Sequence, residues 1–200
     1  MKAKRFLAIA IFAMMCVSIK AQVSNSIYIG VSPLGSERIN MSFKNDENGE
    51  YKYKYKSYLN FSLAKEKQSI GLGYMYEIQY SRAKFDELEI KKNAHDFTPT
   101  PGEDIYTIGG SFYALQTINK GKRLQVPLYV GPGVDYINGG PFHHIVVYLG
   151  VKARVKYYIS DNIGLFVAGT YKFGFGGSSK SGTLAPSTGF LDAGLVIGLD

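Results

Sequence analysis

Histidine is the side chain best suited to moving protons or holding a metal near neutral pH, and the chain has three: His95, His143 and His144. His143 and His144 are adjacent, so in an extended strand they point to opposite faces and cannot share one metal ion. They read as loop residues near an interface. His95 precedes Asp96 in a long polar stretch, with no serine or second histidine at a recognisable spacing. Ser111 with His144 is the one pair that can be imagined as nucleophile and base, and nothing in the sequence fixes its geometry. No catalytic, cofactor-binding or metal-ligating residue is assigned, and the chain is not read as an enzyme.

Charge spacing says more. In "GVKARVKYYI" (150–159), Lys152, Arg154 and Lys156 occupy every second place, with Val151, Ala153, Val155 and Tyr157 interleaved. A period of two is that of a β-strand, whose side chains alternate between faces. The same sorting recurs elsewhere. One face carries the charged residues Glu77, Arg123, Asp135, Lys152, Arg154, Lys156, Lys172 and Asp192. The other carries an apolar set that includes Leu72, Tyr74, Leu128, Val147, Leu149, Val151, Leu165, Val167, Leu195 and Ile197. "YKYKYK" (51–56) alternates too; the expectation is tyrosines at a membrane interface and Lys52, Lys54 and Lys56 lining a barrel mouth.

The elements that hold these faces are strands. "MKAKRFLAIAIFAMMCVSIKAQ" has a basic start, an apolar run too short to span a bilayer and a small residue at Ala21, so residues 1–21 read as a cleaved signal peptide and 22–200 as one domain. The formal net charge is +7. Segment 1–21 holds four of the 23 basic residues and no acid, leaving 19 basic against 16 acidic residues, a net of +3. The basic balance is therefore mostly a targeting feature and argues for no nucleic-acid partner. The single cysteine, Cys16, falls inside the signal behind Met14 and Met15, so neither lipidation nor a disulfide is expected.

Eight alternating segments follow, at about 26–44, 51–64, 69–82, 104–117, 123–137, 144–159, 162–176 and 188–199. "AKEKQ" (64–68), "INKGK" (118–122) and "SDN" (160–162) read as short turns. "NDENGE" (45–50), 83–103, "NGGPFH" (138–143) and "GGSSKSGTLAPST" (176–188) read as longer loops, with a short helix in "FDELEIKKN" (85–93) and a flexible "TPTPGED" after it. Long and short connections in alternation are those of an up-and-down barrel in an outer membrane. Pro33 interrupts the first strand, which would make 37–44 a ninth. Ile27, Ile29, Val31, Ile39, Met41 and Phe43 share odd parity, which favours one bent strand.

The apolar face could point into a soluble barrel or outward to lipid. Strand length favours lipid, because soluble strands average about five or six residues and these segments are much longer. Glycines on the polar face suit a crowded small-barrel interior. A cation on lipid near the midplane would cost roughly 2–4 kcal/mol, whereas inside the barrel Lys152, Glu77 and Asp192 come to similar heights and can pair. The expected fold is all-β, an eight-stranded antiparallel transmembrane barrel.

"RLQVPLYVG" (123–131) and "LGVKARVKYYISDNIGLFVAGTYKFGFG" (149–176) resemble the porin-like outer-membrane β-barrel domain family of Gram-negative bacteria, in the "QVPL" strand start, the "YYISDN" hairpin tip and the "YKFG" strand end. The final "GLVIGLD" departs from the aromatic end common in such barrels. The resemblance implies an outer-membrane barrel with no catalytic residues to carry over and a structural, porin-like or envelope-assembly role. The expected partners are outer-membrane lipid and lipopolysaccharide, with an envelope or secretion-complex protein as a further candidate, around a monomer without cofactor. Arg123 and the four interior cations would favour anions in any narrow conductance. Two alternatives stand beside this: a cell-surface binding module acting through 83–103 and 176–188, and a soluble secreted barrel holding an apolar ligand.

Overall fold

The computed structural model describes residues 24–43, 50–69, 72–92, 103–120, 123–140, 142–175, 177–179 and 182–199. The expected signal peptide lies outside the described residues, as do His95 and Asp96 and most of "TPTPGED".

Nine strands are present: β1 (Ser24–Phe43), β2 (Glu50–Gln68), β3 (Leu72–Lys92), β4 (Ile105–Lys120), β5 (Leu124–Gly139), β6 (Phe142–Tyr158), β7 (Ile163–Phe175), β8 (Gly177–Ser179) and β9 (Gly182–Gly198). Consecutive strands pair antiparallel from β1 to β7. β7 then pairs with β9, and β9 with β1. The ring therefore closes with eight staves and leaves no open sheet edge through its middle, which is how a β-structure satisfies its backbone in lipid. β8 is a three-residue strand folded against the upper end of β9. It is the ninth strand; β1 itself runs unbroken past Pro33.

Burial alternates along the staves, and the sense is the reverse of a soluble protein. On β6, Val147, Leu149, Val151 and Val155 are exposed while Lys152, Arg154 and Lys156 are buried. The apolar outer face of β6 runs from Ile145 to Tyr157, longer than the roughly 9–11 residues a tilted strand needs to cross a bilayer. Outer aromatics cluster in contact, Tyr74, Tyr76 and Phe112 toward the short-turn end and Tyr171 against Phe173 toward the other. An apolar exterior around buried charges is the reverse of the arrangement that a soluble barrel would show.

The connections differ from the expected ones in five places, one of them "INKGK", whose first three residues are strand because β4 runs to Lys120. "AKEKQ" is strand: β2 continues to Gln68. "FDELEIKKN" is not helical, because β3 continues through it to Lys92. The "NGGPFH" loop is a tight hairpin in which Gly139 pairs with Phe142, and the positive φ of Gly139 (124°) and Gly140 (55°) makes the reversal there. Residues 182–188 belong to β9.

Bulges change which residues face in; besides those on β1 and β2, Asp86 is an extra residue on β3 that turns Leu88 inward. On β1 the pairing with β9 shifts between Val31 and Leu34. Ile29 and Val31 are outside, yet the odd-numbered Gly35 beyond the bulge faces inward, toward Phe190 and Ser57. The shared parity of the two halves therefore does not make one face. On β2 the pairing with β3 shifts between Ser57 and Leu59. Below it the even residues Asn60, Ser62, Ala64 and Glu66 are buried, and above it the odd residues Tyr53, Tyr55 and Ser57 are. The extra residue of a bulge reverses every later side chain. Tyr53 and Tyr55 thus fill the mouth, and Lys52, Lys54 and Lys56 stand on the outer wall, the opposite of the expected placement.

Candidate functional site

The interior is built on the short period of the staves, with glycines admitting large rings. A Cβ on Gly133 would overlap the Tyr148 ring, and one on Gly150 would lie 2.7 Å from the Tyr113 hydroxyl. Among the described residues, the buried charges are Glu66, Glu77, Asp135 and Asp192 with Lys152, Arg154, Lys156 and Lys172. They form chords across the ring. Lys172 on β7 binds Asp135 on β5 at 2.9 and 3.1 Å. Lys152 on β6 donates to Glu77 on β3 and lies 3.8 Å from Asp192 on β9. Asp192 also accepts from Asn60, which accepts from Gln79. Lys156 reaches across to Glu66 on β2 (2.9 Å) and the Tyr28 hydroxyl on β1 (2.8 Å), while Tyr129 donates to the other Glu66 oxygen at 2.6 Å.

Arg154 meets a carboxylate, Glu66, only at the outer limit of ion-pair distance, 3.9 Å. Its guanidinium instead stacks 3.9 Å from the Tyr28 ring centre and 4.6 Å from that of Phe166, and donates to Tyr129 at 3.2 Å. Such cation–π contacts strengthen when desolvated. Apolar clusters close both ends of this polar layer. Tyr53, Tyr55, Ile105, Ile137, Phe142 and Val146 pack at the upper mouth, with Tyr53 against Phe142 at 5.0 Å. Tyr28, Met75, Tyr113, Leu115, Phe166 and Val196 pack toward the short-turn end.

Of the residues assigned to the interior from sequence, Glu77, Asp135, Lys152, Arg154, Lys156, Lys172 and Asp192 are buried there. Arg123 is not: it is exposed in the turn before β5, where its carbonyl accepts from the Tyr158 amide. Glu66 was read as part of a turn, and its signal was the even parity it shares with Ser62, Ala64 and Gln68. With Glu66 in and Arg123 out, four cations face four acids, which removes the basis for an anion preference. Tyr74, Leu128, Val147, Leu149, Val151, Leu165, Val167, Leu195 and Ile197 are exposed on the outside, and Leu72 is half-buried at the start of β3.

The imagined catalytic pair does not meet. Ser111 is hydrogen-bonded to the Tyr148 hydroxyl. His144 lies four residues further along β6, a separation of roughly 13 Å at about 3.3 Å per residue. His143 is exposed and His144 half-buried, as adjacent strand positions require.

Above the barrel, β1, β2, β3 and β9 continue as a raised wall. β4 pairs with β3 only up to Ala83, and β7 with β9 only up to Ser187. On the wall's outer face Lys52 meets Glu89 at 2.9 Å, Lys54 meets Glu87 at 2.7 Å and also Glu89, and Lys56 meets Asp86 at 2.7 Å. The two lysines hold the Glu89 carboxyl down to about 2, and Glu87 and Glu89 raise Lys54 above its ordinary value. A charged ladder on the outer surface marks where lipid must end.

No protein-family model matches the chain, and a search of curated proteins finds no match. Solved structures do match. Neisserial surface protein A is 16% identical, with a TM-score of 0.50 over 86% of this chain and 96% of that one. The outer membrane protease OmpT from Escherichia coli is 7% identical, with a TM-score of 0.59 over 92% and 99%. The outer membrane protein OprG from Pseudomonas aeruginosa is 8% identical, with a TM-score of 0.51 over 90% and 97%. At these identities the likeness is one of fold, and it agrees with the ring of eight staves: the chain has the β-barrel fold of outer-membrane proteins.

Proposed function

We propose that this protein is a sealed barrel of the Gram-negative outer membrane, neither channel nor enzyme, which anchors and presents its raised external wall for binding. The observation that carries the reading is the set of cross-lumen pairs, Lys152–Glu77, Lys156–Glu66 and Lys172–Asp135. Lys152–Glu77 and Lys156–Glu66 join staves three and four places apart around the ring, and Lys172–Asp135 joins the two staves that flank β6, so a solute would have to break buried ion pairs to pass, and each break leaves uncompensated charge. Tyr53, Tyr55 and Phe142 narrow the upper approach to them. One protein of this fold, OmpT, is a protease; the separation of Ser111 from His144 supports a non-catalytic reading here.

The role of the surface follows from where the chain extends. The stretches 83–92 and 182–188 are ordered strands of the wall, which gives the binding-module alternative a rigid platform in place of floppy loops. The test is electrical. Residues 22–200, refolded and inserted into a planar bilayer, should show no stepwise openings under applied voltage. Long-lived open levels in the unmodified protein would overturn the sealed reading in favour of a porin-like one.

A further inference from the structure

Among the described residues, the outer face of the wall carries more cations than its acids neutralise. Arg38 on β1 sits directly opposite Lys54 on β2, and Lys56 on β2 sits opposite Lys84 on β3. Like charges directly opposite one another are destabilising unless something anionic bridges them. Lys54 and Lys56 have their acids, and Arg82 has Asp104 at 3.7 Å. Among the described residues, neither Arg38 nor Lys84 has an acid within salt-bridge distance. Lys84 instead lies 5.5 Å from the ring centre of Tyr58, whose hydroxyl donates to Asp104.

These residues stand just above the apolar belt. Leu34, Tyr58 and Ile78 are the exposed apolar or aromatic residues next below them on the same three strands. This is the headgroup level of a bilayer, where a tyrosine ring and long basic side chains are at home. Arg38 and Lys84 are two staves and one inward–outward repeat apart, about 12 Å from strand spacings of roughly 4.8 Å and 3.3 Å per residue. Lys56, with its side chain 74% exposed, lies between them. A groove of about 980 Å³ begins at Leu34 and Ser36, immediately below Arg38, and runs over Leu191, Gly169, Ala153 and Leu128 on the outer face.

We propose that this patch binds the phosphorylated sugar headgroup of lipopolysaccharide, with Arg38 and Lys84 each donating to a phosphate and the groove bedding an acyl chain. Guanidinium and ammonium groups both make strong charge-assisted hydrogen bonds to phosphate. Two phosphates at opposite ends of a disaccharide suit two separated cations better than a single small anion does. The proposal rests on the outer-membrane reading.

The experiment uses residues 22–200 refolded in detergent, with the gel shift on boiling recorded first. A boiling-sensitive compact band establishes the barrel independently of any lipid, and its absence would sink the outer-membrane reading rather than this site alone. Binding of bis-phosphorylated lipid A is then measured by native mass spectrometry. Arg38→Ser with Lys84→Ser should weaken it at least about tenfold, the scale of one lost charge-assisted hydrogen bond. Lys65→Ser with Lys67→Ser, at the opposite rim, should leave it unchanged. Equal binding by wild type and the Arg38/Lys84 variant overturns the site, as does equal binding of dephosphorylated lipid A. Competition by millimolar inorganic phosphate would assign the patch to free anions and overturn the lipid assignment.

Discussion

Arg154 holds its charge in a cage of rings, while the lysines beside it each hold a carboxylate, and the difference predicts how each responds to substitution. Lys152 depends on Glu77 as its near partner, and both side chains are 1% exposed. Removing one member of a buried pair leaves the other charged and desolvated, at a typical cost of about 3–5 kcal/mol. Glu77→Ala should fall at the low end, about 3 kcal/mol, because Asp192 remains 3.8 Å from Lys152. Glu77→Leu with Lys152→Met should recover only part of that loss, since the apolar pair carries no charge of its own but takes the lysine from Asp192, which keeps Asn60 and Thr170. Denaturant unfolding in detergent measures both. A double variant no better than the single would mean that the pair contributes more than its own neutrality. This residue-level detail was partly readable beforehand. The alternation of Lys152, Arg154 and Lys156 put them on one face, and their heights suggested Glu77 and Asp192 as partners. The cage was not readable, because Tyr28 and Phe166 come from distant staves and nothing local distinguishes a ring that stacks on a cation from one that packs on its neighbours.

At the scale of elements, the ladder between β2 and β3 sets the charge state of one carboxyl. Glu89 accepts from both Lys52 and Lys54, which holds its carboxyl down to about 2 from an ordinary 4.5. A depressed folded value means the stabilisation is fully present above pH 4.5 and is lost as pH falls through about 2. Carboxyl-edited NMR of the refolded protein should therefore show Glu89 titrating with a midpoint near 2. In Lys52→Met with Lys54→Met the midpoint should return toward 4.5; an unchanged midpoint would show that the lysines are not its cause. The ladder also shows why this part of the fold escaped a reading by period. β5, β6 and β7 alternate without interruption, so their faces could be sorted from the residues alone. β1 and β2 carry bulges, and each reverses parity at one step that leaves no mark in composition. Pro33 advertised a disturbance in β1 without saying that it would exchange the faces. In β2 nothing announced one, so Tyr53 and Tyr55 were assigned outward although they plug the mouth.

For the whole molecule, closure and neutrality are coupled. A ring of eight staves leaves an interior just wide enough for side chains, so every cation turned inward must find an acid from another stave. Lys152, Lys156 and Lys172 do so, and those chords also fix how the staves register against one another, the use of buried ion pairs that is best attested. Arg154 is the exception that fills space as well as carrying charge, which makes it the place to open the barrel. Replacing Arg154 with serine and Phe166 with alanine removes the guanidinium and one wall of its cage while leaving the three lysine pairs intact. The four acids then face three cations, so the interior turns net negative. In a planar bilayer the variant should give discrete openings where wild type gives none, and its reversal potential in a salt gradient should take the sign of cation selectivity. Silence would show that the remaining chords and the Tyr53–Phe142 layer suffice to seal the lumen. A reversal potential of the opposite sign would show that the buried acids are neutralised by protons rather than by the lysines that face them.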